Sequence, residues 1–341
     1  GPGTRGGNSV MTQLRAEGIR VTFYPHLPDR TFQAVCNADV QISQGEILGM
    51  VGESGCGKSL TALSMLNLQP NTARAEGTIE YGGRDYEAGG DELSGLRGTK
   101  IGMIFQEPMT ALNPVYSVGW QLAEALYFTK GIEDKQQQRR RSIELLETVQ
   151  LDRAEDRLDS YPHQLSGGQR QRVMIALALA GEPDYLVADE PTTALDATLE
   201  KGIMDLFQEL ARDRGLGVLL ITHDLALVGR VSDRITVMYS GYTVENGPSE
   251  TIMESPQHPY TQGLVASSTA IQSNTDRLPV IPGDVPDPEE RPEGCPFHPR
   301  CEEKEPRCET DYPETFRPIE RVTTDCWARE DSEYAAKEQD V

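Results

Sequence analysis

No part of this 341-residue chain is apolar for the roughly 20 residues that a bilayer-crossing helix needs, and the longest apolar runs, such as Val173 to Ala180, fall far short. The N-terminus also lacks the apolar core of a secretory signal. Any attachment to a membrane is therefore expected to go through a partner. Basic charge is scarce too: 32 Lys and Arg stand against 54 Asp and Glu, a formal net charge of −22 with a pI near 4.6. General affinity for nucleic acid needs clustered Lys and Arg, so no nucleic-acid partner is expected. Seven of the 32 basic residues are lysine and the acidic ones spread over the whole length, which fits a salt-adapted surface and equally a chain kept soluble by its charge. Cysteine is sparse and uneven. Cys36 and Cys56 stand alone, whereas Cys295, Cys301, Cys308 and Cys326 cluster near the end.

The length suits one large domain, or one of ordinary size with an appendage. Gly1 to Ser9 is glycine-rich and aperiodic, so residues 1–10 read as a disordered lead or an expression scar, with Met11 as a natural start. Ile19–Phe23, Phe32–Val35 and Val40–Ile42 alternate as short strands of a small antiparallel sheet. A buried strand, Glu46 to Val51, then leads into Gly52-Glu53-Ser54-Gly55-Cys56-Gly57-Lys58-Ser59 and an apolar helix predicted to run through Leu68. This is G-x-x-x-x-G-K-[ST] between a strand and a helix. The chemistry is phosphate binding: loop N–H groups and the helix N-terminus wrap the phosphates, Lys58 reaches the β and γ oxygens, and the Ser59 hydroxyl holds Mg²⁺. Nucleotide binding implies a reducing compartment, where four clustered thiols more often mean metal than disulfides.

Further along, Ile101 to Phe105 reads as a strand that stops at Gln106-Glu107-Pro108, and Val118 to Phe128 and Glu133 to Val149 as helices of an insertion. Arg139-Arg140-Arg141 on the second helix reads as a solvated face. The stretch Leu165-Ser166-Gly167-Gly168-Gln169 poses a choice. Ser166 with Gln169 is a capping box, but two glycines in a first helical turn cost about 1 kcal/mol each relative to alanine. They suggest a backbone that a phosphate must approach. An apolar helix follows, and then Tyr185 to Ala188, a strand ending in Asp189-Glu190. The helix Leu199 to Arg212 and the strand Gly217 to Thr222, ending in His223-Asp224, continue an alternation that predicts a parallel sheet with its ligand at the carboxyl ends of the strands. Asp189 is the acid that orders Mg²⁺ through Ser59, Glu190 is free to act on an attacking water, and His223 is a candidate imidazole near a γ-phosphate.

Walker A (Gly52 to Ser59), the Q-loop residue Gln106, a signature (Leu165 to Gln169), Walker B (Asp189-Glu190), a D-loop (Ala194-Leu195-Asp196) and the H-loop residue His223 together resemble an ABC transporter ATP-binding subunit. The resemblance covers roughly Gln13 to Met253. It implies a P-loop NTPase α/β fold: a RecA-like parallel-sheet core, an N-terminal antiparallel β subdomain and a helical subdomain. It also implies two such subunits sandwiching two ATP molecules, each bound by the Walker motifs of one chain and the signature of the other. In that arrangement Glu190 is the catalytic base, with Lys58, Gln106 and His223 also in the catalytic set. ATP contacts fall to Gly52, Ser54, Gly55, Gly57, Lys58, Ser59, Leu60, Gln106 and Asp189 on this chain's own side. Ser166, Gly167, Gly168 and Gln169 serve the partner's ATP, and Asp196 reaches across the dimer. Ser59, Gln106 and Asp189 take Mg²⁺. Phe23 is the aromatic expected to stack on adenine, with Tyr24 as the neighbouring alternative.

The tail narrows the resemblance. Ser255-Pro256-Gln257-His258-Pro259-Tyr260-Thr261, a Pro-rich linker from Pro279 to Pro292, and Cys295-Pro296-Phe297-His298-Pro299-Arg300-Cys301 with Cys308 and Cys326 are similar to the C-terminal extension of oligopeptide and dipeptide importer ATPases. In those the four cysteines ligate a [4Fe–4S] cluster. The gaps of five, six and seventeen residues match neither a zinc ribbon nor the bacterial ferredoxin run, so spacing alone leaves zinc level with iron–sulfur. His298 is a further possible ligand, although a turn residue between two prolines is the plainer reading. From Asp284 to Val341 there are 18 acidic and 8 basic residues, and the segment is too short for a large core, so a metal is expected to supply its folding energy.

The expected organisation is a lead (1–10), an ATPase domain (11–268) with a helical insertion at about 107–180, a Pro-rich linker (269–293), a Cys-rich metal-binding extension (294–330) and an acidic tail (331–341). The implied function is the ATPase of a peptide importer at the cytoplasmic face of the membrane. Its implied partners are two transmembrane permease subunits, a second and similar ATPase chain, and a solute-binding protein. The same resemblance admits sugar or nickel as cargo. A soluble ABC ATPase acting on ribosomes or DNA is the rival of another class, opposed by the acidic charge, the single ATPase module and the lack of a long coiled coil.

Overall fold

The computed structural model describes residues 13–106, 111–193, 195–273 and 280–332. The glycine-rich lead, Met11, Glu107-Pro108, Ala194, Pro279 and residues 333–341 of the acidic tail lie outside the described residues.

The central strands are apolar on both faces, which is what a sheet covered by helices on both sides requires. β3 (Ile47–Val51), β7 (Tyr185–Asp189) and β8 (Gly217–Thr222) are buried at every position. With β6 (Ile101–Ile104) and β9 (Arg234–Tyr239) they form the parallel part of a 12-stranded sheet, in the order β9-β3-β8-β7-β6. The N-terminal strands β1 (Gln13–Phe23), β2 (Phe32–Ser43), β4 (Ala73–Tyr81) and β5 (Arg84–Glu87) continue it on the other side as an antiparallel set in the order β5-β4-β1-β2. β10 (Tyr242–Pro248) joins the two parts, antiparallel to β9 and bridged to β2 at Tyr242 and Asn37.

Two elements differ from expectation. Phe32–Val35 and Val40–Ile42 are one continuous strand, because β1 pairs along its length from Phe32 to Ser43. The helix after the P-loop is Lys58–Ser64 and does not reach Leu68: Asn67 takes a left-handed conformation and Leu68 N–H closes back on Leu63 O at 2.8 Å. This is a helix-ending turn that apolar periodicity does not reveal.

Two apolar cores flank the sheet. One joins the helical insertion, Val118–Lys130 and Lys135–Thr148, to the helices Gly167–Ala178 and Ala197–Arg214. The other joins the N-terminal strands to the P-loop helix through residues such as Leu14, Ile42, Met50 and Met65. The C-terminal extension does not stand apart. β11 (Phe316–Ile319) and β12 (Val322–Thr324) form a hairpin whose second strand pairs with β10, and Phe297 is buried among Tyr239, Tyr260 and His258. The extension offsets its small size by burying its apolar residues on the ATPase core.

Candidate functional site

β3 runs straight into the P-loop. At Gly52 an added Cβ would lie 2.2 Å from Met238 O, so the chain passes β9 with no room for a side chain. Gly57 caps the following helix at φ 105°, a conformation that favours glycine. The buried Lys58 Nζ donates to Gly52 O at 2.7 Å and Glu53 O at 3.0 Å, with Cys56 Sγ at 3.6 Å, so the loop's own carbonyls hold it over the cradle. Cys56 is a buried small side chain, and burial pushes its thiol pKa up. Ser54 and Gly55 are exposed at the crest of the loop, and Leu60 packs partly on the N-terminal core.

The strand ends bring the acids to this loop. Ser59 Oγ donates to Asp189 Oδ1 at 3.0 Å. Burial and the neighbouring Glu190 charge raise the Asp189 pKa against the opposing Ser59 hydrogen bond and Lys58 charge. Glu190 has φ 46°, a strained value for a residue with a Cβ, and its N–H is fixed on Ile221 O at 2.9 Å. Its carboxylate meets His223 Nδ1 at 3.2 Å and accepts from Gln106 Nε2 at 3.0 Å and Thr193 Oγ1 at 2.9 Å. Burial raises its pKa, but these hydrogen bonds and the His223 charge outweigh it and hold the group below its ordinary value. Glu190 is thus an ionised, three-point-oriented carboxylate beside the Lys58–Ser59–Asp189 cradle. The oxygens of Ser59 and Asp189 are hard donors of the kind Mg²⁺ takes.

Lys58, Ser59, Gln106, Asp189, Glu190 and His223 therefore converge. The signature forms a separate unit. Ser166 Oγ accepts from Gln169 N–H at 3.3 Å while Gln169 Oε1 accepts from Ser166 N–H at 3.0 Å, so the capping box is present at the start of the helix Gly167–Ala178. Asp196 caps its own helix, accepting from the N–H groups of Thr198 and Leu199, both at 3.0 Å. Phe23 ends β1 with its ring stacked 5.2 Å from Phe32, while Tyr24 is exposed and left-handed at φ 49°.

Three residues that sequence reasoning did not assign to the site also reach it. Thr193 holds Glu190, Tyr260 OH accepts from Glu53 N–H at 2.9 Å, and Arg300 pairs with Glu53. Thr193 lies three residues past Glu190, a spacing that offered a local signal; the other two carry none.

In the extension, Cys295 N–H donates to Cys308 O at 2.9 Å, and the charge of each of the other three thiols bears on Cys295. Burial pushes Cys295 up to about 12 and Cys326 to about 11, and raises Cys301. Among the described residues no group of three or more His, Cys, Asp or Glu is placed to hold a metal ion, so the metal site expected at Cys295, Cys301, Cys308 and Cys326 is not shown. His298 turns its Nδ1 to Cys295 O at 2.9 Å, as a turn residue does.

The family model for the ABC transporter matches residues 35–193, and that for the oligopeptide/dipeptide transporter C-terminal region matches residues 244–308. The oligopeptide transport ATP-binding protein AppD of Bacillus subtilis is 42% identical over 325 residues, spanning 94% of this chain and 98% of its own length. This chain belongs to the ABC transporter ATP-binding proteins. The dipeptide transport ATP-binding protein DppD of Escherichia coli is 44% identical over 285 residues, covering 83% of this chain and 86% of its own. Among solved structures, the dimeric ABC transporter cassette MJ0796 is 30% identical with a TM-score of 0.60, covering 69% of this chain and 98% of that one. A post-hydrolysis state of the same cassette, bound to ADP and Pi, gives 29% and 0.59. The chain is an ABC-type ATPase, and among the described residues no helix is long and apolar enough to cross a membrane.

Proposed function

We propose that this chain is the ATP-hydrolysing subunit that energises import of dipeptides or oligopeptides, docked at the cytoplasmic face of the membrane on two permease subunits and paired with a second ATPase chain. The observation that carries the catalytic part is Glu190, held by His223, Gln106 and Thr193 beside the P-loop cradle. Lys58 moves from the loop carbonyls to the phosphates, Glu190 orients and deprotonates the attacking water, and His223 and Gln106 fix Glu190 and sense the γ-phosphate. Ser59, Asp189 and Gln106 would hold Mg²⁺, whose charge would offset that of the phosphates. Gly52, Ser54, Gly55, Gly57 and Leu60 shape the cradle and Phe23 stacks on adenine. Ser166, Gly167, Gly168, Gln169 and Asp196 act on the nucleotide of the partner ATPase.

Permease docking is supported by an apolar groove of about 300 Å³ lined by Leu68, Phe105, Met174 and Leu177, and by the exposed Tyr116–Trp120 stack at the start of the helical insertion. The peptide cargo is supported by the names of the relatives and by the match of the C-terminal region. Vesicles holding the complex test it: ATP hydrolysis should rise with a peptide-loaded solute-binding protein and stay flat with sugar-loaded or nickel-loaded ones. A response confined to sugar or nickel rejects the cargo.

We infer further that Cys295, Cys301, Cys308 and Cys326 hold a [4Fe–4S] cluster, which takes four thiolates spread around one cube. The four free, half-buried cysteines and the match of residues 244–308 to the oligopeptide/dipeptide transporter C-terminal region support this reading. The bound cluster would supply the positive charge that keeps four half-buried thiols ionised. An anaerobic preparation should show broad visible absorption and about four irons per chain; stoichiometric zinc without iron rejects it.

A further inference from the structure

Arg300 ends the short 3-10 turn His298–Arg300, one residue before Cys301. Its side chain is only 5% exposed, and its guanidinium fork closes on Glu53, the second residue of the P-loop motif. Nη1 donates to Oε2 at 2.7 Å and Nη2 to Oε1 at 3.1 Å. Its remaining contacts are the carbonyls of Pro282 at 2.8 Å and Ile281 at 3.4 Å, and Tyr239 OH at 3.3 Å. Tyr239 and Phe297 present their rings to the guanidinium carbon at 5.7 and 5.9 Å. Burial on its own would lower the Arg300 pKa, but the hydrogen bonds to Glu53 and Tyr239 outweigh it and raise it.

Glu53 is held from two other directions. Its N–H donates to Tyr260 OH and its carbonyl accepts from Lys58 Nζ. One loop residue thus joins the P-loop lysine, the helix Pro259–Ser273 and the C-terminal extension. Its carboxylate stands in the loop whose task is to hold a polyanion. Unpaired, that charge would oppose the phosphates; a bidentate guanidinium cancels it and fixes its geometry.

We propose that Arg300 is a positioning residue of the nucleotide site: through its ion pair with Glu53, the C-terminal extension neutralises the P-loop's own negative charge and fixes the carbonyl on which Lys58 rests. Arg300 acts through Glu53 and touches no nucleotide. The role rests on the ATPase reading.

The test is equilibrium binding of Mg-ATP to the full-length chain, with variants at both ends of the pair. Arg300→Gln leaves a carboxylate uncompensated and should raise the Kd about tenfold or more, a deficit that shrinks as salt rises. Glu53→Gln should bind at least as tightly as the unaltered chain, since it leaves the positive partner. The double variant should return to within about threefold of the unaltered chain. A merely structural role gives the opposite pattern, with all three variants weakened alike. That pattern, or unaltered affinity in Arg300→Gln, overturns the proposal. Should Arg300→Gln not fold, Arg300→Lys decides with Glu53→Gln: binding within about threefold for Lys and no weakening for Gln supports the charge role, and loss in both overturns it. An unaltered chain that fails to bind Mg-ATP would instead defeat the ATPase reading itself.

Discussion

Glu190 keeps a left-handed backbone that costs of order 1–3 kcal/mol and persists only when its surroundings over-determine it. The surroundings here are Ile221 O on its N–H and three side chains on its carboxylate. Another residue set by burial is His258, whose ring is wholly enclosed and whose Nδ1 accepts from Tyr260 N–H at 3.0 Å. Burial, reinforced by the Arg329 charge, depresses its pKa to about 3. The unfolded chain takes up this proton first, near pH 6.5, so the His258 contribution is full above that pH and lost as pH falls toward 3. Between pH 6.5 and pH 4.5 the loss is roughly 2–3 kcal/mol. Glu245, which accepts from His258 N–H, has a pKa raised by burial and contributes with the opposite sign. The measurement is therefore a difference: the gap in denaturant stability between the unaltered chain and His258→Asn should narrow by that amount over this pH range. A constant gap would show that His258 carries a proton when folded. Lys58, Ser59, Asp189, Glu190 and His223 were legible beforehand because each follows a strand within a short fixed pattern. Tyr260 and Arg300 reach Glu53 across 207 and 247 residues, where no local pattern can point.

At the level of single elements, the helix Gly167–Ala178 separates what the subunit needs from what lies outside it. The capping box satisfies its first turn, and a Cβ on Gly167 would find only Leu195 Cδ2 at 3.6 Å, an ordinary contact. Nothing inside the chain demands glycine there. Gly167→Ala should hold or raise the unfolding midpoint, gaining about 0.5–1 kcal/mol, and still cut ATP hydrolysis at least tenfold by blocking the approach of the partner's phosphate. Equal activity would remove the phosphate-approach reading. The apolar groove between β6 and the helix Gly167–Ala178 makes a similar prediction. Phe105→Asp should leave Mg-ATP binding by the isolated chain intact and abolish its co-purification with the permease, because Phe105 is 46% exposed and a new charge in an apolar contact finds no partner. Retained co-purification would place the docking surface elsewhere. Both helices of the insertion were readable from apolar periodicity. The early end of the P-loop helix was not, since its turn at Asn67 lies within an apolar run.

The whole molecule is one sheet with a parallel half that carries the chemistry and an antiparallel half that braces the P-loop helix from the other side. Alternating β and α segments announced the parallel half. Strand order was not legible, because β10 returns to join both halves from a late position in the chain. Nor was the seating of the C-terminal extension, whose few apolar residues gave no sign that they bury on the ATPase core. Among the described residues no hydrogen bond links the signature box to the Glu190 cluster, as a fold that completes each nucleotide site with a second subunit requires. We propose Glu190 as the base of an ATPase whose binding cradle is formed by other residues. The direct measurement is Mg-ATP affinity and steady-state hydrolysis of the membrane-assembled complex with and without Glu190→Gln. Affinity should stay within about threefold of the unaltered complex while hydrolysis falls by about 10²-fold or more; hydrolysis at the unaltered rate would remove Glu190 from the catalytic role.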